Sequence, residues 1–129
     1  MGMYTELVVS AQVKDVPEVI EVLKYMAGQT EVEPPLPDHP LFKCDRWTYL
    51  FTMSSYYFVP RSTVLLEFDS ISKAWCLISR ADLKNYDDEI EKFVDWIRPY
   101  IAGQGEMFAY SRYEETREPT IYYSAGEGA

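Results

Sequence analysis

Residues 25–31 read YMAGQTE and residues 100–106 read YIAGQGE, with five identical positions at an offset of 75. Each stretch closes an amphipathic segment. Ahead of the first, Val16, Val19, Ile20, Leu23 and Met26 recur at the i, i+3, i+4, i+7 spacing of a helix that buries one stripe. Ahead of the second, Tyr86, Ile90, Phe93, Val94, Ile97 and Ile101 do the same. Gly28 and Gly103 supply the residue that best tolerates a positive φ after a last helical turn. Asp15 and Glu18 stand at capping-box spacing, and Pro17 suits a first turn that has no use for its N–H. The second helix is expected to begin at Asn85 or Asp87, with Pro99 ending or kinking it.

Outward from the two helices, the apolar period changes to two, the period of a half-buried strand. Residues 4–13 set Leu7, Val9, Ala11 and Val13 against Glu6, Ser10 and Gln12, with Val8 as an exception. Residues 47–54, WTYLFTMS, set Trp47, Tyr49, Phe51 and Met53 against Thr48, Leu50, Thr52 and Ser54. Residues 63–69 and 73–83 read as a hairpin, and residues 106–115 and 119–124 as a second pair. A strand, a helix and two strands thus occur twice, over residues 4–69 and 73–124. The expected fold is α+β, a two-layer sandwich with a mainly antiparallel six-stranded sheet and two helices on one face. Its expected core is Leu7, Val9, Ile20, Leu23, Leu66, Phe68, Ile90, Phe93 and Ile97. A single domain is expected over residues 3–124, followed by a disordered tail, AGEGA, at residues 125–129.

Between the first helix and the strand expected at 47–54 lies QTEVEPPLPDHPLFKCDR, residues 29–46, with prolines at 34, 35, 37 and 40. Proline removes donors and steers the preceding residue away from helix, so an extended surface loop is expected. Such a loop either carries function or covers a sheet edge.

The chain has 129 residues, with 12 Lys and Arg against 21 Asp and Glu, a formal charge of -9. A duplex binder replaces condensed counterions with Lys and Arg, so duplex nucleic acid is not an expected partner. An anionic membrane surface is disfavoured for the same reason, and no apolar run reaches the roughly 18 residues of a spanning helix. The opening MGMYTELVVS has no basic, then apolar, leader pattern, so the cytoplasm is the expected compartment. Cys44 and Cys76 are 32 residues apart and His39 is the only histidine. That set offers no zinc spacing and no nucleophile–base pair, so no metal, cofactor or catalytic residue is assigned.

Two groups of residues point to binding. Asp87, Glu91 and Asp95 fall at i, i+4, i+8 on the second helix, an acidic stripe suited to a basic protein partner. Arg46, Tyr57, Arg61, Arg112 and Tyr113 combine guanidinium with aromatic faces, which is how a pocket holds a small anionic, nucleotide-like ligand. Aromatic residues make up 16% of the chain, more than two helices can cover. Trp47 and Tyr49 or their neighbours, Trp75, Tyr110 and Tyr122 are therefore expected to leave a partly apolar sheet face for a second copy or a partner, with a homodimer the expected assembly.

LKNYDDEIEKFVDWIRPYIAG followed by FAYSRYEETREPTIYY resembles small uncharacterised accessory proteins encoded by tailed phages and prophages. The opening YTELVVSAQVKDVPEVIEVLKYMAG and the loop LPDHPLF belong to the same pattern. The resemblance covers nearly the whole chain, carries no catalytic motif, and implies a compact protein that acts by binding. The expected function is that of a non-enzymatic acidic protein that docks and modulates a host or phage protein.

Overall fold

The computed structural model describes residues 4–55, 59–85, 87–103, 105–116 and 118–124. The alternation in residues 4–13 becomes strand β1, Thr5–Lys14, with Leu7, Val9 and Val13 fully buried. Helix α1, Pro17–Met26, buries Val19, Ile20, Val22, Leu23 and Met26. Its start differs from the expected capping box. Val16 takes the N-cap position without a side-chain hydrogen bond. Asp15 lies one residue too early and instead accepts a hydrogen bond from Trp75 Nε1 at 3.0 Å. Gly28, at φ 78°, ends the helix as expected.

Strands β2, Thr63–Asp69, and β3, Ala74–Leu83, form the expected hairpin. Helix α2, Glu89–Ile97, follows, then β4, Met107–Tyr113, and β5, Thr120–Tyr123. The sheet order is β2-β3-β1-β4-β5, and every neighbouring pair is antiparallel. The unit β1-α1-β2 leaves a gap that β3 fills, and β3-α2-β4 leaves a gap that β1 fills. This is the split β-α-β, ferredoxin-like connectivity, extended at one edge by β5.

The sheet has five strands among the described residues, not six. Residues 47–54 are not a strand: a 3-10 turn spans Trp47–Tyr49 and further turns follow. The buried side chains there are Trp47, Leu50 and Phe51, while Tyr49 is exposed. That is i, i+3, i+4 spacing, so the alternation was a coincidence of a helical pattern too short to build a helix. The first half of the chain is therefore strand, helix, strand rather than the expected unit with two closing strands.

The proline-rich segment also departs from an exposed loop. Pro40–Lys43 forms a 3-10 turn that buries Leu41 completely. Phe42 stands edge-on to Trp47 and to Trp96 of α2, at 5.0 and 5.1 Å between ring centroids. Phe51 meets Phe93 of α2 at 5.4 Å, and Tyr25 of α1 meets Trp47 at 5.9 Å. Residues 40–51 thus add an aromatic wedge to the helical layer. Burial of such rings is worth several kcal/mol in total, on the order of 1.5–3 kcal/mol per large side chain. Of the expected core, Phe68 is the exception. It is 44% exposed and lies against Trp75 near the end of β2. The tail at residues 125–129 lies outside the described residues.

Candidate functional site

The register of the strands sorts every side chain to one of two faces. Leu7, Val9 and Val13 of β1 look to the helices, so their cross-strand partners Ala81, Ser79 and Trp75 do too. The alternate residues form the opposite face. One row runs Asp82, Glu6, Arg112 across β3, β1 and β4. The next runs Thr63, Arg80, Val8, Tyr110, Ile121 across all five strands. Below it lie Leu65, Ile78 and Ser10, then Glu67, Cys76 and Gln12.

Leu65, Ile78, Val8, Tyr110 and Ile121 make an apolar diagonal across this face. Leu65 is 39% exposed, Ile78 45% and Ile121 41%, while Val8 and Tyr110 between them are half-buried, so the described residues leave the diagonal open to solvent at three of its five side chains. Val8, which broke the alternation of β1, takes its place here. A shallow cleft of about 250 Å³ continues the face toward its lower end, lined by Ser10, Gln12, Cys76, Met107 and Phe108 among others.

The upper end is ionic. Glu6 is buried on the face and accepts from Arg80 Nε at 2.6 Å and from Arg112 Nε at 3.2 Å. The Glu6 hydrogen bond, and then its charge, hold the Arg80 guanidinium even more firmly protonated than usual. Asp82, beside Glu6 in the row, is fully buried. Its Oδ2 accepts from the Ser55 hydroxyl at 2.6 Å and from Val59 N–H at 3.1 Å. Its Oδ1 has no hydrogen-bond partner among the described residues. Burial pushes the Asp82 carboxyl above the usual carboxylate range; the Ser55 and Val59 hydrogen bonds pull it back, and the charges of Glu114 and Glu6 push it up again. Asp82 therefore pins Ser55 and Val59 beside the upper end of β3, where β2 has not yet begun.

The residues singled out in the sequence are dispersed. Arg46 begins the 3-10 turn that packs against α1 on the helical side. Arg112 lies on the open face, engaged with Glu6. Arg61 is exposed ahead of β2, and Tyr57 lies outside the described residues. The structure thus separates Arg46 from Arg112 by the thickness of the sheet. Tyr113 and Glu91 do come together, in a polar cleft of about 320 Å³ that also takes in Lys84, Asn85 and Glu118.

Two of the three side chains of the acidic stripe, Glu91 and Asp95, are engaged within the chain. Asp87 precedes α2, and its N–H donates to Glu89 at 2.8 Å. Glu91 accepts from Asn85 Nδ2 with both oxygens at 3.1 Å. Asp95 Oδ2 lies 2.9 Å from His39 Nε2. His39 Nδ1 accepts from Leu41 N–H, which leaves the ring proton on Nε2 to be donated to Asp95. The lone histidine is a pin between the proline-rich segment and α2 rather than a free loop residue.

Several expected face residues lie elsewhere. Trp47 and Trp75 are on the helical side, Trp75 beneath Lys24 of α1 at 5.0 Å. Tyr122 shares that side with Ser111, 2.9 Å from its hydroxyl. Burial is the main cause that raises the pKa of the Tyr122 phenol. Of the five aromatic residues expected on the open face, Tyr110 is the one the register places there. Among the described residues, no helix is long and apolar enough to cross a membrane. No protein-family model, curated protein or solved structure matches the chain.

Proposed function

We propose that the chain is a non-enzymatic binding protein and that the open face of its sheet is the docking surface. The observation that carries this reading is the uncovered apolar diagonal from Leu65 to Ile121, which crosses every strand. A contiguous apolar patch left bare on a sheet face marks an interaction site. Glu6, Arg80 and Arg112 frame it with a polar end that fixes register, as rims do. The reading replaces the acidic stripe as the surface of contact, since Glu91 and Asp95 are already bonded to Asn85 and His39. A cytoplasmic setting and a kinship with phage accessory proteins that act by binding belong to the same proposal.

A photo-reactive side chain placed at position 78 in expressing cells tests it, with position 18, exposed on α1, as the control. Cross-linked protein is expected from position 78 and not from position 18. Equal yields, or none from position 78, would remove the face as a docking surface.

A further inference from the structure

The open face has a charge character unlike the rest of the molecule. The chain carries -9 overall. The rows on this face hold Arg80, Arg112 and Lys14 against Glu6, Glu67, Asp69 and Asp82, and Asp82 is buried away from the surface. The face is close to neutral, so the excess negative charge lies on the other surfaces. A basic partner would be drawn to those surfaces, where the field is strongest. A second acidic molecule would approach with least repulsion here.

We infer that the occupant of this face is a second copy of the chain, stacked sheet on sheet through the diagonal of Leu65, Ile78, Val8, Tyr110 and Ile121. The inference rests on the docking reading above. Two copies related by a two-fold axis bury the same patch on each, so a patch must complement itself. This one can: an axis parallel to the strands keeps Ile78 and Val8 near the centre and exchanges the two ends of the diagonal. The area is sufficient. Five strands at ~4.8 Å spacing and roughly 25 Å mean length span at most roughly 600 Å² per copy, the upper row of Asp82 and Glu6 included. The pair would remove at most roughly 1,200 Å² from water, the lower end of a specific interface. A reversible dimer of modest affinity is therefore expected.

Sedimentation equilibrium of the purified full chain from about 1 to about 200 µM tests this, because a micromolar Kd falls inside that range. Wild type is expected to shift from monomer to dimer mass. Ile78→Glu and Leu65→Glu, both at exposed positions, are expected to stay monomeric with unchanged circular dichroism. Association is expected to strengthen several-fold as salt rises from about 50 to about 300 mM, because screening relieves the repulsion between two acidic bodies. Cys76 lies on the open face and Cys44 is buried in the helical layer, and both are free thiols. Maleimide labelling of Cys76 should slow as protein concentration rises, in wild type and not in Ile78→Glu. A wild type that stays monomeric throughout, or a dimer indifferent to both substitutions, overturns the second copy as occupant. If cross-linking at position 78 then captures a different protein, the docking face stands and only its occupant is wrong. If position 78 captures nothing, both readings fail.

Discussion

One sheet, two faces: the side that meets the helices is closed and the side that turns away is open. On the closed side, Leu7, Val9, Leu77 and Ala81 have no exposure, and α1, α2 and the wedge of residues 40–51 pack against them. On the open side, the same strands carry Ile78, Leu65 and Ile121 nearly half exposed, next to a salt-bridged glutamate between two arginines. The strands are identical in backbone; only the alternate side chains differ. The closed face specifies the fold, and the open face is free to specify what the fold meets.

The sharpest way to break this contrast is to truncate one side chain on each face. Phe93→Ala removes a fully buried ring packed on Phe51 and should cost about 3–5 kcal/mol in chemical denaturation. Ile78→Ala at monomer concentrations should stay within about 0.5 kcal/mol of wild type. A comparable loss at position 78 would mean that the open face is covered after all. Glu6→Ala is the next largest effect. It deletes two charge-assisted hydrogen bonds and leaves Arg80 and Arg112 facing one another across β1. Solvent around the two arginines screens part of the loss, so about 2 kcal/mol is expected, measured the same way.

Much of this contrast could be read from the chain, and its limits have physical causes. The alternation of β1, the stripes of α1 and α2 and the β2–β3 hairpin are strictly local signals; β1, α1 and the hairpin lie within a residue or two of their expected bounds, whereas α2 begins at Glu89, two residues after Asp87 and four after Asn85. Residues 47–54 failed because apolar residues were dense enough to satisfy two periods at once. The burial of Trp47, Leu50 and Phe51 follows the helical one. The wedge of Leu41 and Phe42 was hidden by prolines, which announce an extended backbone but say nothing of whether it folds back. Aromatic content suggested an apolar open face. Trp47, Trp75 and Tyr122 went instead to the helical side, and the face took its apolar character from Val8, Leu65, Ile78 and Ile121 beside Tyr110. Val8 was the available signal: a β-branched residue on the polar side of an alternating strand.

Asp82 sharpens the contrast at the point where the two regimes meet. Its carboxyl belongs to the open face by register yet is wholly buried beside Ser55 and Val59, with one oxygen unpartnered among the described residues. Burial raises its folded pKa above the unfolded value. Its contribution to stability is therefore fully present below the ordinary carboxylate pKa of about 4 and is lost as pH rises through the raised folded value. Asp82→Asn keeps an acceptor for Ser55 and Val59 and removes the charge. It should stabilise the protein by about 1–2 kcal/mol at neutral pH and flatten that part of the pH profile. If Asp82→Asn instead destabilises the protein at neutral pH, the charge and not the hydrogen-bonding shape holds Ser55 and Val59 in place.

The smallest effects belong to the pin on the closed side, and they separate what His39 does from what Asp95 does. Asp95 is 77% exposed, so its hydrogen bond with His39 competes with water. Asp95→Ala should cost about 0.5 kcal/mol or less, and the loss should shrink with salt if the pair is charged. His39→Ala removes the same bond and also the acceptor for Leu41 N–H, which begins the 3-10 turn carrying Leu41 into the core. The histidine substitution should therefore cost about 1 kcal/mol, the larger of the two, with the difference measuring the cap. The double variant should match His39→Ala alone, because Asp95 reaches the segment through that ring. Additive losses would show that Asp95 supports α2 independently, and that the proline-rich wedge is held by its buried rings without help from the surface.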